Sequence, residues 1–376
     1  MEEVGKEAIM DENRLKLGFG LMRLPKFEDG TIDVEQVKKM VDLFIEAGGT
    51  YFDTAFAYPG SEEAIRQALV ERYPRDSYTL ASKLMCSPDM NSEEEAKNEF
   101  NISLERTQAG YFDYYLLHAI QRGNYKKYEE FRIWDYVKQL KEKGLVKHYG
   151  FSFHGDPELL KELLAQHPDV DFVQLQINYA DWENPGVKSK ENLEICREHG
   201  KKVVVMEPVK GGILAEPIPT VKEIFDKADP DASYASWAVR FVASQKGIFK
   251  VLSGMSSIAQ MENNLSYMKD FRPLNEEEEK VIEAAQEAID ADQSIPCTGC
   301  RYCTEGCPME IPIPDIFAVE NRRKGSPEFR TKREYVIVTT GKGKASDCLQ
   351  CGQCESVCPQ HLPIISLLEK CRELED

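Results

Sequence analysis

The sequence lacks the long apolar runs of a membrane-spanning helix, since no stretch approaches about 18 consecutive apolar residues. Its beginning, Met1 to Glu7, has no apolar run behind a basic start, so we expect no signal peptide. Positive charge is also scarce: 47 Lys and Arg stand against 65 Asp and Glu, for a net charge of −18. Nucleic acids and anionic membranes require basic patches and are disfavoured as partners. We therefore expect a soluble, cytoplasmic protein.

The length and charge distribution predict two domains. A chain of 376 residues with 42% hydrophobic residues is long enough for two folded units with full cores. Residues 291–376 contribute −2 to the net charge and the first 290 residues the remaining −16. Because Ser294-Ile-Pro interrupts the pattern between them, we predict domains at 1–290 and 291–376.

Cysteine is abundant only in the second of these domains. Eight of the 11 cysteines form two runs of identical spacing, Cys-x2-Cys-x2-Cys-x3-Cys-Pro. The first run is Cys297, Cys300, Cys303 and Cys307, and the second is Cys348, Cys351, Cys354 and Cys358. In this pattern three thiolates hold one [4Fe–4S] cluster, and the fourth, before proline, reaches a second cluster.

Two such runs predict two [4Fe–4S] clusters with crossed ligation. The first cluster would take Cys297, Cys300, Cys303 and Cys358, and the second Cys348, Cys351, Cys354 and Cys307. Zinc is the alternative, but it needs only four ligands per site and does not explain the repeated Cys-Pro ending. Disulfides would need an oxidising compartment. Over about residues 295 to 365 the chain resembles bacterial two-cluster ferredoxins.

The first domain alternates β-rich runs with amphipathic stretches. The runs begin at Leu17, Tyr51, Tyr78, Phe112, Val146, Phe172, Val203 and Phe249. Helical patterns cover 34–47, 61–71, 92–107, 130–143, 157–167, 188–199, 232–245 and 257–268. Eight strand-and-helix units predict an α/β fold, a (β/α)8 TIM barrel. An open doubly wound sheet is the competitor, but Gly18-Phe-Gly20 has no third glycine to complete its usual turn.

Four polar side chains follow consecutive strands of this barrel: Asp53, Tyr58, Lys83 and His118. Active sites of such barrels lie at the carboxyl ends of the strands. Tyrosine can donate a proton to a carbonyl oxygen, and a neighbouring ammonium lowers its pKa. We expect Asp53 to keep Lys83 charged and in position, and Lys83 to lower the pKa of Tyr58. His118 is expected to donate a hydrogen bond to the substrate oxygen. This set favours carbonyl reduction by hydride.

Together these segments resemble the aldo-keto reductases from about residue 15 to 270. The similarity rests on Gly49-Thr-Tyr-Phe-Asp-Thr-Ala, Ala81-Ser-Lys83, Asp113-Tyr-Tyr-Leu-Leu-His118 and Gly150-Phe-Ser152. It implies that Tyr58, Asp53, Lys83 and His118 are the family's catalytic tetrad, acting with NAD(P)H.

The resemblance also implies a set of cofactor-binding residues: Ser152, Gln174, Glu207, Lys210, Gly211, Gly212, Gly254, Ser256, Ser257, Gln260 and Asn264. Two positions depart from the family. Glu207 replaces the aromatic residue that usually stacks on nicotinamide, and Phe153 replaces a frequent asparagine. Gly254 and Gln260 stand where NADP-preferring members carry Lys and Arg, so the choice between NAD and NADP stays open.

Two functional hypotheses remain from the sequence. In the first, the chain is an oxidoreductase that reduces a carbonyl substrate or oxidises the alcohol, with its clusters coupled to the reaction or regulating it. In the second, it is an electron-transfer or redox-sensing protein whose barrel binds nicotinamide without substantial turnover. Nicotinamide transfers two electrons and each cluster one. A redox partner protein, either a ferredoxin or a flavoprotein, is therefore expected beside the small-molecule substrate.

Overall fold

Eight parallel strands close into a barrel in the computed structural model, which describes residues 15–375 except 88–89, 185, 293 and 324–327. The strands are β1 (Leu17–Gly20), β2 (Tyr51–Asp53), β3 (Thr79–Leu84), β4 (Phe112–Ile120), β5 (Val146–Phe153), β6 (Phe172–Gln176), β7 (Lys202–Met206) and β8 (Ile248–Ser253). Each strand pairs with the next, and β8 pairs with β1. The predicted (β/α)8 barrel is confirmed, and the open sheet was the wrong alternative.

Large side chains fill the inside of the barrel. Tyr51, Tyr114, Phe172 and Phe249 belong to one buried cluster, with the rings of Tyr51 and Tyr114 centred 4.9 Å apart. Gly150 allows β5 to approach β6, because a Cβ at this position would lie 2.2 Å from the carbonyl oxygen of Phe172. The barrel is therefore a packed core, and ligands have access only at its ends.

Helices surround the barrel and bury its outer face. They are α1 (Val34–Glu46), α2 (Ser61–Ile65), α3 (Glu93–Thr107), α4 (Tyr125–Glu130), α5 (Ile133–Glu142), α6 (Pro157–Gln166), α7 (Ser189–Glu198), α8 (Pro219–Ala228), α9 (Tyr234–Ser244), α10 (Ile258–Met268) and α11 (Glu276–Asp290). Side-chain caps start several of them. Asp33 accepts from the amide of Gln36 at α1, and Asn275 forms a capping box with Glu278 at α11.

The helix boundaries differ from the sequence prediction in four places. The pattern over 61–71 becomes α2 followed by a π-helical turn, Arg66–Val70. Within the pattern over 130–143, α5 begins only after Arg132, which has a φ of 49°. Two helices were missed: α4, which ends at Glu130, and α8, which begins at Pro219, where proline suits a first turn.

The cysteine-rich domain contains short helices around its own core. They are α12 (Tyr302–Glu305), α13 (Ile313–Arg323), α14 (Glu328–Thr339), α15 (Gln353–Ser356) and α16 (Ile364–Cys371). Position 324, directly after α13, lies outside the described residues, as does the amino-terminal segment 1–14. In the part of the chain that is described, no helix is long and apolar enough to cross a membrane.

Candidate active site and cluster cavities

The four strand-end residues predicted from the sequence meet at one mouth of the barrel. Nζ of Lys83 lies 2.5 Å from Oδ1 of Asp53 and 4.8 Å from the ring centre of Tyr58. The rings of Tyr58 and His118 are 5.6 Å apart and meet edge to face. Since β2, β3 and β4 are adjacent and parallel, their carboxyl ends bring these side chains together.

Lys83 and Asp53 form a buried ion pair beneath the mouth. Lys83 also donates to the carbonyl oxygen of Thr54 at 2.7 Å, and Asp53 accepts from Nε2 of Gln174 at 3.2 Å. Burial raises the pKa of Asp53 and lowers the pKa of Lys83, and each charge opposes the shift of the other. The pair is thereby held in one orientation below Tyr58.

The pKa of Tyr58 shifts in the direction opposite to our expectation. Burial raises it well above its usual value, the charges of Asp53 and Glu207 raise it further, and Arg23 opposes them. The expected lowering by Lys83 fails because its ammonium is matched by the Asp53 carboxylate. Tyr58 is therefore a protonated phenol at neutral pH, which suits a proton donor.

His118 is held as a neutral imidazole. Burial lowers its pKa well below the usual value, and Lys83 and His154 lower it further. The carbonyl oxygen of His118 accepts a hydrogen bond from the hydroxyl of Tyr128, which fixes this part of the backbone. A neutral imidazole has one N–H to offer, so His118 can donate to a substrate oxygen beside Tyr58.

A cleft of about 800 Å³ extends from Tyr58 across the carboxyl ends of β7, β8 and β1. Of the predicted cofactor residues, Gln174, Glu207, Gly211, Gly212, Gly254, Ser256, Gln260 and Asn264 line it. Ser152, Lys210 and Ser257 are not among its lining residues. The structure thus brings most of the predicted set to one groove beside the tetrad.

The residues after β8 form a tight loop and helix start in this cleft. Ser257 caps α10 by accepting from the amide of Gln260 at 3.2 Å. The Gln260 side chain accepts from the amide of Ser256 at 2.7 Å, and Asn264 donates to the carbonyl oxygen of Gln260 at 2.9 Å. Ser152, deeper in the barrel, accepts from the amide of Ala119 at 2.7 Å.

Lys210 lies at the interface between the two domains. Its ammonium forms a buried ion pair with Asp181 and donates to Oε1 of Gln360 at 2.9 Å. Gly211 has a φ of 66°, and a Cβ there would lie 2.5 Å from the carbonyl oxygen of Thr298. Arg23 donates to the same oxygen at 3.3 Å. The loop after β7 therefore packs against the cysteine-rich domain.

The eight cysteines line two separate small cavities in the combinations that the spacing predicted. Cys297, Cys300, Cys303 and Cys358 surround the first, and Cys307, Cys348, Cys351 and Cys354 the second. Burial raises the pKa of the Cys358 thiol, but the amides of Leu362, Gln360 and His361 donate to it and lower its pKa. Such donors suit a thiolate ligand, so these residues fit iron–sulfur clusters.

The two cavities differ in their surroundings. Thr298 and Gln360, which line the first, contact the barrel through Arg23, Gly211 and Lys210. At the second, the ligand candidate Cys351 and the neighbouring Leu349 are exposed, Leu349 by 64%. The first cavity thus lies beside the loop after β7, and the second has an edge exposed to solvent.

Three residues of the site escaped the sequence analysis: Arg23, Thr298 and Tyr302. Burial raises the pKa of Tyr302 well above its usual value, and the neighbouring acidic groups of Tyr58, Cys300 and Glu207 raise it further. Tyr302 therefore reaches the barrel mouth from between two cysteines of the first cavity. The cysteine spacing located the loop that carries Tyr302 and Thr298, but nothing in the sequence indicated which barrel surface it contacts.

Each of the two domains matches a known family of protein domains. Residues 16–287 match the sequence profile of the aldo/keto reductase family, and residues 296–362 match a 4Fe-4S dicluster domain. An uncharacterized oxidoreductase of Bacillus subtilis is 25% identical over 72% of this chain and 92% of its own length.

Solved structures give the same result for the barrel. A holo aldo-keto reductase from Bacillus halodurans superposes with a TM-score of 0.59 at 26% identity, covering 72% of this chain and 91% of that one. An aldo-keto reductase from Klebsiella pneumoniae in complex with NADPH has a TM-score of 0.56 at 21% identity, covering 74% and 92%. The predicted fold and domain types are confirmed, while the roles of individual residues stay predictions.

Proposed function

Because the chain belongs to the aldo/keto reductase family and carries a 4Fe-4S dicluster domain, we propose that it reduces a small carbonyl substrate, or oxidises the alcohol, with NAD(P)(H). The observation that carries this proposal is the meeting of Tyr58, Lys83, Asp53 and His118 at the mouth of the barrel. A protonated tyrosine beside a neutral histidine and a buried ion pair, at the end of a cleft of about 800 Å³, suits proton donation to a carbonyl oxygen during hydride transfer.

Each of the four side chains would have a distinct role in the reaction. When bound in the cleft, nicotinamide would supply a hydride, that is, a proton together with two electrons, to the carbonyl carbon. Tyr58 gives its phenolic proton to the carbonyl oxygen, and His118 donates a hydrogen bond to that oxygen. The Lys83–Asp53 pair fixes the position of Tyr58. The resulting phenolate must regain a proton before the next turnover.

The activity can be tested directly. Anaerobically purified protein is mixed with NADH or NADPH and a panel of aldehydes and ketones, and cofactor oxidation is followed. We expect turnover of at least one carbonyl compound. Cofactor binding without turnover of any of them would instead support the second candidate, a redox sensor. The packing of the Thr298 loop against Gly211 favours that candidate, because it connects the dicluster domain to the cleft.

We predict that NAD(H) binds at least as tightly as NADP(H). Among the described residues lining the cleft, Arg23 is the basic one, against the acidic Asp53, Glu207, Glu216 and Asp226. A 2′-phosphate has little to pair with there. Titration with all four nucleotides checks this. NADP(H) binding more than about tenfold tighter, roughly 1.4 kcal/mol, would contradict it.

The dicluster domain would hold two [4Fe–4S] clusters and exchange electrons with a carrier protein at its outer edge. Leu349 is an exposed apolar residue beside the exposed Cys351. The exposed Lys342 and Lys344 flank Gly343, which packs against Met309 at the wall of the second cavity. An apolar contact next to two lysines fits an acidic one-electron carrier.

This docking surface predicts a charge-dependent rate. Electron transfer from a reduced acidic ferredoxin to the clusters, followed by their absorbance, should slow about tenfold in Lys342→Glu/Lys344→Glu. The matched control is Lys161→Glu/Lys269→Glu, which reverses the charge at two exposed lysine positions of the barrel. Equal slowing in both double variants would show only a general charge effect and would refute the docking surface.

A further inference from the structure

Glu207 carries a carboxyl oxygen without a partner inside the cleft. The residue follows β7 with a φ of 58°, in the left-handed region, and its carbonyl oxygen accepts from Nδ2 of Asn178 at 3.2 Å. Its Oε2 is buried and has no hydrogen-bond partner among the described residues. A buried polar oxygen without a donor is costly. The amide of Gly211 donates to the Glu207 carboxyl group, so the backbone fixes a side chain of which one oxygen, Oε2, has no partner.

The two cationic side chains near Glu207 form hydrogen bonds with other residues. Arg23 donates to the carbonyl oxygen of Thr298, and Lys210 binds Asp181 and Gln360. Burial raises the pKa of Glu207, and the charges of Arg23 and Lys210 oppose that rise, but neither cation forms an ion pair with it among the described contacts. A ligand in the cleft that carries a hydrogen-bond donor or a positive charge would complement this carboxyl group.

Glu207 lines the cleft with Tyr58 and Gln174. The family resemblance implies an aromatic residue at this position. On the basis of the function proposed above, we infer that the Glu207 carboxylate faces the nicotinamide ring and selects its oxidised form. The oxidised ring carries a positive charge and the reduced ring carries none. A carboxylate at close range in a buried site therefore stabilises only the oxidised form.

This selection has a chemical consequence for the reaction. On transfer of its hydride to the substrate's carbonyl carbon, bound reduced nicotinamide would become the cation that Glu207 favours, while Glu207 itself would exchange neither protons nor electrons. The bound reduced cofactor is then a stronger hydride donor than the free one. An aromatic ring at this position would stack on both forms without such a charge preference.

The test compares the affinities of oxidised and reduced cofactor. Anaerobically purified holoprotein and its Glu207→Gln variant are titrated with NAD⁺, NADH, NADP⁺ and NADPH. We expect the native protein to bind the oxidised form more tightly than the reduced form. Glu207→Gln, which keeps the shape and removes the charge, should shift the ratio of the two dissociation constants by about tenfold toward the reduced form. For a two-electron couple this corresponds to about 30 mV.

A matched control and a second variant complete the experiment. Glu216→Gln removes another carboxylate lining the same cleft, one that is exposed and paired with Lys222, and should leave the ratio unchanged. If the Glu207→Gln variant loses iron, the same titration is done with Glu207→Tyr, which also removes the charge and introduces an aromatic residue typical of the family. An unchanged ratio in a folded variant that binds nucleotide overturns the inference alone. Failure of the native protein to bind any nicotinamide nucleotide overturns the proposed function with it.

Discussion

Tyr58→Phe is expected to lower carbonyl reduction by roughly 10²–10⁴, the contribution of a positioned acid–base group. The change removes one hydroxyl from a ring that stays packed over Lys83 and against His118. Folding, iron content and nicotinamide affinity should therefore survive. The measurement is kcat with any carbonyl compound that the native protein reduces, together with a nucleotide titration of the variant.

The pH dependence adds a second check on the same residue. Because burial and the charges of Asp53 and Glu207 raise the pKa of Tyr58, its phenol stays protonated through neutral pH. The reduction rate should be nearly flat there and should fall only in strongly alkaline solution, whereas alcohol oxidation should rise with pH. Near-native reduction by Tyr58→Phe would show that another group donates the proton.

Lys83 requires a more careful substitution. Lys83→Met leaves Asp53 buried without its partner, and breaking a buried pair in this way costs about 3–5 kcal/mol. Loss of activity in that variant alone would not separate positioning from unfolding. The double variant Asp53→Asn/Lys83→Met removes both charges, and we expect it to fold while its reduction rate stays low.

Much of the barrel could be predicted because its signals are local. Alternating apolar runs and helical stretches give the strands and most helices, and a parallel barrel places strand-end residues at a common mouth. The break at Arg132 and the π-helical turn at Arg66–Val70 were missed, because tertiary packing overrides the helical pattern there. The crossed cysteine sets were predictable from spacing alone.

What could not be predicted depends on the contact between the domains. Lys210 was expected to bind the nicotinamide cofactor, yet its ammonium is bound to Asp181 and Gln360, the latter 150 positions away. The expected lowering of the Tyr58 pKa failed because burial outweighs a lysine charge that Asp53 already balances. Neither burial nor a distant partner can be read from residue spacing.

The cluster ligands give the last prediction, in which two similar substitutions should differ. Cys358→Ala removes a ligand from the first cavity and Cys307→Ala one from the second. With two [4Fe–4S] clusters the protein should hold about eight irons, and each variant about four. Abundant zinc with little iron in the native protein would contradict the cluster assignment.

Only one of the two variants should also affect the barrel. Cys358 precedes Gln360, which binds Lys210, and it shares the first cavity with Thr298, which contacts Arg23 and Gly211. Losing that cluster should loosen the loop after β7 and weaken nicotinamide binding. Losing the second should leave it intact, because that cavity opens to solvent beside Cys351. Nucleotide titration of both variants decides: equal affinities would mean that the loop after β7 keeps its shape without the first cluster.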